Sequence, residues 1–119
     1  MGDVLKQKRI EKPWGHEIIW AQTGDYVGKL LHIKAGGRLS KQYHEQKEET
    51  IFVLRGEVYN YDENDKVQRI VAGESFHVKP GQVHRFAASD TSSVDIIEVS
   101  TNFLDDVVRL EDDYQRVEK

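Results

Sequence analysis

Almost the whole chain consists of runs of four to nine residues that alternate apolar and polar side chains, or are briefly apolar, each closed by a turn signal. Alternation with period two puts every second side chain on one face of an extended backbone, which is how a half-buried strand reads. Such runs fall near residues 17–20, 26–34, 42–45, 49–55, 57–61, 67–71, 75–79, 83–88 and 94–100. Between them stand Gly24-Asp25, Ala35-Gly36-Gly37, Gly56, the DEND of 62–65, Ala72-Gly73, Pro80-Gly81 and the SDTSS of 89–93. Strands this short, at a spacing of about 8–12 residues, predict an all-β sandwich or barrel.

Only LDDVVRLEDDYQR, residues 104–116, breaks the rhythm. Its Leu104, Val107, Val108 and Leu110 share one helical face, so a short C-terminal helix, or an extended tail packed on the barrel, is expected. With 119 residues there is material for one core. The expected organisation is one domain over 1–119, with an N-terminal arm at about 1–16, a barrel at about 17–100 and a tail at about 101–119.

Composition removes several functions. There is no cysteine, hence no disulfide framework, thiolate metal site or cysteine nucleophile. No apolar run exceeds five residues, far short of a membrane span or a signal-peptide core, so a cytoplasmic protein with no membrane partner is expected. Residues 1–60 carry 10 Lys and Arg against 8 Asp and Glu, and residues 61–119 carry 7 against 13. No basic stripe with interleaved aromatics appears, which argues against nucleic acid. A small anion needs only a few local cations and remains an eligible ligand.

The chemistry concentrates in KQYHEQKEETIFVLRG, residues 41–56. Gln42 and His44 are two apart and leave the same face of a strand. Glu49 opens the next strand after a turn through 46–48, where an antiparallel pairing brings it across from them. The segment AGESFHVKPGQVHRF adds Pro80-Gly81, a turn that sends the following strand back. His84 lies three residues past Gly81. If His84 faces inward, Gln42, His44, Glu49 and His84 converge. Imidazole and oxygen donors in such a set suit one divalent ion, with zinc placed first among zinc, manganese, iron, cobalt and nickel. Gly56 stops its strand where positive φ is expected, so Gly56→Val is expected to be severe and Gly37→Ala milder.

These two spaced segments together resemble the cupin superfamily, with Gln42 where the first histidine of its His-x-His usually stands. The resemblance extends to one branch. KPWGHE, VGKLLHIKAGGRLSKQYH, EETIFVLRGEV, GQVHRF, DIIEVS and DDVVRLEDDYQR, in order over about residues 12–116, look like the cupin domain of type II phosphomannose isomerases. That domain is often fused behind a mannose-1-phosphate guanylyltransferase, whose nucleotide-binding half 119 residues do not accommodate. The resemblance implies a small double-stranded β-helix, or jelly roll, with the metal in its mouth. It implies a sugar-phosphate isomerase of polysaccharide or sugar-nucleotide synthesis, interconverting mannose 6-phosphate and fructose 6-phosphate, and a homodimer. Departures lie at EQKE, residues 45–48, where the family carries more His and Arg, and after His84, where RFAAS lacks the usual Asn.

Other residues take roles from the same resemblance. Lys29 matches a family lysine and is a candidate for binding the sugar phosphate, on the face opposite Lys34. Arg109 would fold over the barrel mouth as a catalytic cation. Glu98, a carboxylate in the apolar strand DIIEVS, must be paired or functional if it points inward. Glu98 and Lys29 are both candidates for the base. Trp14 is expected to pack the N-terminal segment onto the barrel. His16, His32 and His77 are given no role. Two other functions stay open: a non-catalytic sugar-binding accessory cupin, and an iron-dependent cupin dioxygenase.

Overall fold

A computed structural model describes residues 2–116. Eleven strands follow one another: β1 Lys8–Lys12, β2 Gly15–Gln22, β3 Tyr26–Ile33, β4 Lys41–Tyr43, β5 Glu49–Arg55, β6 Glu57–Tyr61, β7 Val67–Val71, β8 Ser75–Val78, β9 Phe86–Ala87, β10 Val94–Thr101 and β11 Val108–Glu111. Six pair antiparallel in the order β1-β2-β3-β10-β5-β8. Facing them are a three-stranded sheet, β7-β6-β9, and the pair β11-β4.

The alternation read in the sequence becomes an inside and an outside. Along β10, Val94, Ile96, Glu98 and Ser100 are buried, and the residues between them are not. Ile33, Val53, Val58, Val78 and Ile96 are fully enclosed and meet Leu31, Ile51, Ile70 and Phe86 in one apolar cluster. Each such side chain contributes about 1.5–3 kcal/mol by leaving water. Trp14 belongs to this cluster, and its carbonyl accepts the Lys34 amide at 2.9 Å, so it packs the N-terminal segment as expected.

Two expectations are corrected, and the open choice between a C-terminal helix and an extended tail is decided for the tail. Residues 1–16 are more than an arm: β1 lies there and β2 begins there. KRIEK has a single aliphatic residue, because it is an edge strand, and charge on an edge discourages further pairing. The 83–88 strand shrinks to Phe86–Ala87, with an isolated bridge Gln42↔His84 ahead of it and another, Arg38↔Ala87, at its second residue. Among the described residues there is no helix; the C-terminal stretch carries β11, which pairs Val108 with Tyr43 and Arg109 with Gln42. Pairing with β4 overrides a helical pattern too short to stand alone. Residues 117–119 of the expected tail lie outside the described residues.

The glycine contrast also changes. Gly56 has φ of 86°, and a Cβ there would sit 2.7 Å from the Ser93 carbonyl oxygen. A Cβ on Gly37 would meet the Trp14 carbonyl oxygen equally closely, at 2.7 Å. Gly37→Ala is therefore not mild, because backbone cannot step aside as a side chain can.

Candidate metal centre

Three short elements assemble the centre. β4 carries Gln42 and leads directly into His44, β5 opens with Glu49, and the turn at Pro80-Gly81 returns the chain so that His84 bridges Gln42. The Gly81 amide donates to the His44 carbonyl at 2.7 Å, and Gln42 and His84 exchange backbone hydrogen bonds of 3.0 and 2.9 Å. His44, Glu49 and His84 are 4%, 3% and 1% exposed, with one candidate ligand atom from each lying within 4.8 Å of the others.

Both imidazoles are oriented. The His44 Nδ1 lies 2.5 Å from the Asp106 carbonyl oxygen, and the His84 Nδ1 lies 3.0 Å from that of Gln82. A carbonyl only accepts, so each Nδ1 carries a proton and each Nε2 is the atom turned toward Glu49, placed to offer its lone pair to a cation. The Nε2 atoms lie 3.8 and 3.2 Å from Glu49 Oε2, and His84 Nε2 is buried without a hydrogen-bond partner. Such an orphan is what a missing cation would satisfy. The second oxygen of Glu49 is committed elsewhere: Oε1 lies 3.1 Å from Lys47 Nζ. Burial pushes the Glu49 carboxyl up, but the two imidazoles and Lys47 outweigh it and hold it well below the usual range. An anionic carboxylate and two neutral imidazoles can hold a divalent metal. Gln42 lines the same cavity, and its amide oxygen would be a fourth donor beside the two imidazoles and the carboxylate.

A buried ion network adjoins the centre. Lys47 Nζ also lies 3.2 Å from Glu98 Oε2, and Lys29 Nζ lies 3.5 Å from Glu17 Oε2. All four of these side chains are buried. Desolvation lowers the Lys47 ammonium, but Glu98 and Glu49 raise it further and keep it charged. Glu98 goes the other way: burial and the nearby Glu49 charge push its carboxyl up, against the pull of Lys47 and Lys29. Its Oε2 is the oxygen that faces the Lys47 ammonium.

The C-terminal segment forms the remaining wall. A cavity of about 100 Å³ is enclosed between the sheet and Leu104, Val107, Arg109 and Arg116. Arg109 points into it with a buried Nε that has no hydrogen-bond partner, and among the described residues Arg109 forms no ion pair. Lys12 comes in from β1; burial lowers its ammonium, and Lys29, Arg116 and Arg109 lower it further against the pull of Glu17. Elsewhere the segment is pinned by charge, through Asp113 to Arg38 at 2.5 and 3.0 Å and through Glu111 and Asp113 to the buried Arg85.

The structure thus brings Gln42, His44, Glu49, Lys29, Glu98 and Arg109 to one cavity, with His84 against Glu49. Lys29 is buried and Lys34 exposed, as opposite faces require. EQKE is not thin: Lys47 within it joins two carboxylates. Lys47 precedes Glu49 by two, the spacing that aligned Gln42 with His44, and that rule could have found it. Glu17, Lys12, Arg116 and Asp106 carried no comparable signal, because their partners are distant in sequence. His16 and His32 stack at 5.1 Å, His32 pairs with Asp95 and His77 with Glu48, all outside the cavity.

Comparison with known proteins agrees with this geometry. A family model described as "Mannose-6-phosphate isomerase C-terminal" matches residues 3–112. The chain is 33% identical over 110 residues to the alginate biosynthesis protein AlgA of Pseudomonas aeruginosa, and 32% identical over 113 residues to the mannose-1-phosphate guanylyltransferase ManC of Salmonella typhimurium. These matches take in 90% and 92% of this chain but 23% of each relative, so the chain spans less than a quarter of their length. Among solved structures, a Klebsiella pneumoniae protein with a double-stranded β-helix domain aligns at 23% identity with a TM-score of 0.72, covering 87% of this chain and 80% of that one. The polyketide cyclase RemF of Streptomyces resistomycificus aligns at 15% identity with a TM-score of 0.77, covering 92% and 84%. The fold is the small all-β double-stranded β-helix of the cupins.

Proposed function

The chain belongs to the mannose-6-phosphate isomerase C-terminal family, and from that premise we propose that it is a metal-dependent aldose–ketose isomerase of a sugar phosphate. The substrate pair is mannose 6-phosphate and fructose 6-phosphate or a close relative, serving polysaccharide or sugar-nucleotide synthesis. One observation carries the reading. A buried carboxylate, Glu98, held by Lys47 at 3.2 Å, faces the same cavity as the metal-binding group and as Arg109, which among the described residues forms no ion pair.

His44, Glu49, His84 and Gln42 would hold the ion; two imidazoles with a carboxylate suit zinc, and manganese, iron, cobalt and nickel share that donor chemistry. When bound, a divalent cation supplies Lewis-acid polarisation of neighbouring oxygens. The chain's own residues do the rest. Glu98, as carboxylate, takes the proton from C2 of the aldose and returns it to C1, while the hydroxyl proton of O2 passes to O1. Its carboxyl, raised by burial and the nearby Glu49 charge, suits a group that must both accept and release a proton. Arg109 stabilises the enediolate charge, and Lys12 and Arg116 at the rim receive the phosphate. Lys29, already paired with Glu17, orients sugar hydroxyls in place of acting as base.

The test is metal analysis followed by a panel of sugar phosphates. The reading expects about one ion per chain, lost in His44→Ala, and turnover of a six-carbon phosphosugar. Full metal content in His44→Ala would overturn the site. Phosphosugar binding without turnover would leave a non-catalytic binding cupin, and activity requiring oxygen would leave a dioxygenase.

A further inference from the structure

Asp106 reaches the metal centre by two routes at once. Its carboxylate gathers the backbone amides of the turn between the ligands His44 and Glu49. Oδ1 accepts from Glu45 N at 3.0 Å, and Oδ2 accepts from Gln46 N at 2.7 Å and Lys47 N at 2.9 Å. Its carbonyl oxygen is the acceptor that fixes the His44 ring, at 2.5 Å from Nδ1. No other residue of the C-terminal segment touches a ligand side chain by hydrogen bond or ion pair among the described residues. Three residues on, the same segment delivers Arg109 into the cavity.

We propose that Asp106 is a positioning residue that couples docking of the C-terminal segment to assembly of the metal centre. The turn it gathers sets three things together: the approach of Glu49 to His44, the place of Lys47 between Glu49 and Glu98, and the tautomer of His44. Three amide donors need two full acceptor oxygens, and only a carboxylate supplies them at this length. A ring held at Nδ1 is a better ligand at Nε2, and loss of such an outer partner typically weakens metal binding about 10–100-fold. Coupling is reciprocal, so the bound ion also tightens the segment that carries Arg109.

The inference rests on the metal-site reading, and the test separates the two. Cobalt(II) is titrated into metal-free wild type, Asp106→Ala, Asp106→Asn and Asp113→Ala, following its ligand-field absorption, with far-UV circular dichroism as the check on folding. Wild type binds one ion. Asp106→Ala keeps the carbonyl that holds His44 Nδ1 but releases the amides that place it; it binds more weakly while folded, by up to the roughly 10–100-fold that loss of that outer partner costs, and amides 45–47 lose hydrogen-exchange protection even without metal. Asp106→Asn preserves size but keeps one acceptor oxygen; it too binds more weakly and serves where the alanine variant does not fold. Asp113→Ala removes the segment's ion pairs from Asp113 to Arg38 and to Arg85, away from the ligands, and binds within about twofold of wild type. Unchanged cobalt affinity in both folded Asp106 variants overturns the inference and leaves the metal site standing. Equal weakening by Asp113→Ala overturns it too, because docking in general would then suffice. No cobalt bound by wild type overturns both readings.

Discussion

The inner face of the six-stranded sheet has two ends built from the same strands and opposite in chemistry. Toward one end β10, β5 and β3 turn Val94, Ile96, Val53 and Ile33 inward; toward the other they turn in Glu98, Glu49 and Lys29. The change takes one step of the pleat, from Ile96 to Glu98 on β10 and from Ile51 to Glu49 on β5. At the apolar end, burial alone stabilises. At the polar end every buried charge costs desolvation, offset only by partners such as Lys47 between Glu49 and Glu98. A fold does not need such a network for stability. The contrast teaches that one end of the barrel holds the molecule together, while the other carries the buried polar groups on which the proposed function rests.

Substitutions at the two ends should therefore separate. His44→Ala is expected to abolish stoichiometric metal and turnover while melting changes little; Ile96→Ala is expected to cost about 2–5 kcal/mol in urea unfolding and leave metal affinity unchanged. A His44→Ala protein that unfolds would merge the two ends into one structural unit. Arg109→Ala should come next. A cation facing charge that develops only in the transition state is worth about 3–4 kcal/mol, or roughly a hundred- to a thousandfold in kcat. If Arg109 grips only the phosphate, KM rises with kcat nearly unchanged. The smallest effect is at the rim. Asp112 accepts from Tyr114 N, Arg116 N and the Arg116 guanidinium. Burial raises its carboxyl, but the Arg116 side chain and these amides outweigh it and lower it from 3.8 to about 2. The folded value is depressed, so the stabilisation is full above the unfolded value and lost as pH falls from about 4 through about 2. Unfolding free energies of wild type and Asp112→Asn from urea titration should differ by no more than about 2 kcal/mol at pH 5 and converge near pH 2. A difference constant over that range would show that the carboxylate charge contributes nothing.

Much of this comparison was legible in the sequence because it is local. Alternation placed β3, β5, β6, β7 and β10 closely, since period two and a following turn are read within ten residues. The i, i+2 spacing of Gln42 and His44 and the Pro80-Gly81 turn pointed to the ligands for the same reason. What stayed hidden depends on distant pairing. β11 read as either a helix or an extended tail because Val107, Val108 and Leu110 fit both periods, and only β4, more than sixty residues away, chooses between them. Glu17 looked like any strand carboxylate until β3 brought Lys29 to it. Asp106 was one acid in an acidic tail, with no local mark of the three amides it gathers.

The central claim, that the polar end moves a proton on a phosphosugar, is tested most directly by solvent exchange. Metal-loaded protein is incubated with mannose 6-phosphate or fructose 6-phosphate in deuterium oxide, and deuterium at the carbon next to the carbonyl is followed by NMR, in wild type and Glu98→Gln. The account predicts exchange and interconversion by wild type. It predicts that Glu98→Gln keeps its metal and its fold while exchange falls about 10²–10⁴-fold, the usual worth of a positioned acid–base group. A folded, metal-loaded wild type that binds these sugars and exchanges no hydrogen, or a Glu98→Gln variant that exchanges as fast as wild type, would contradict it.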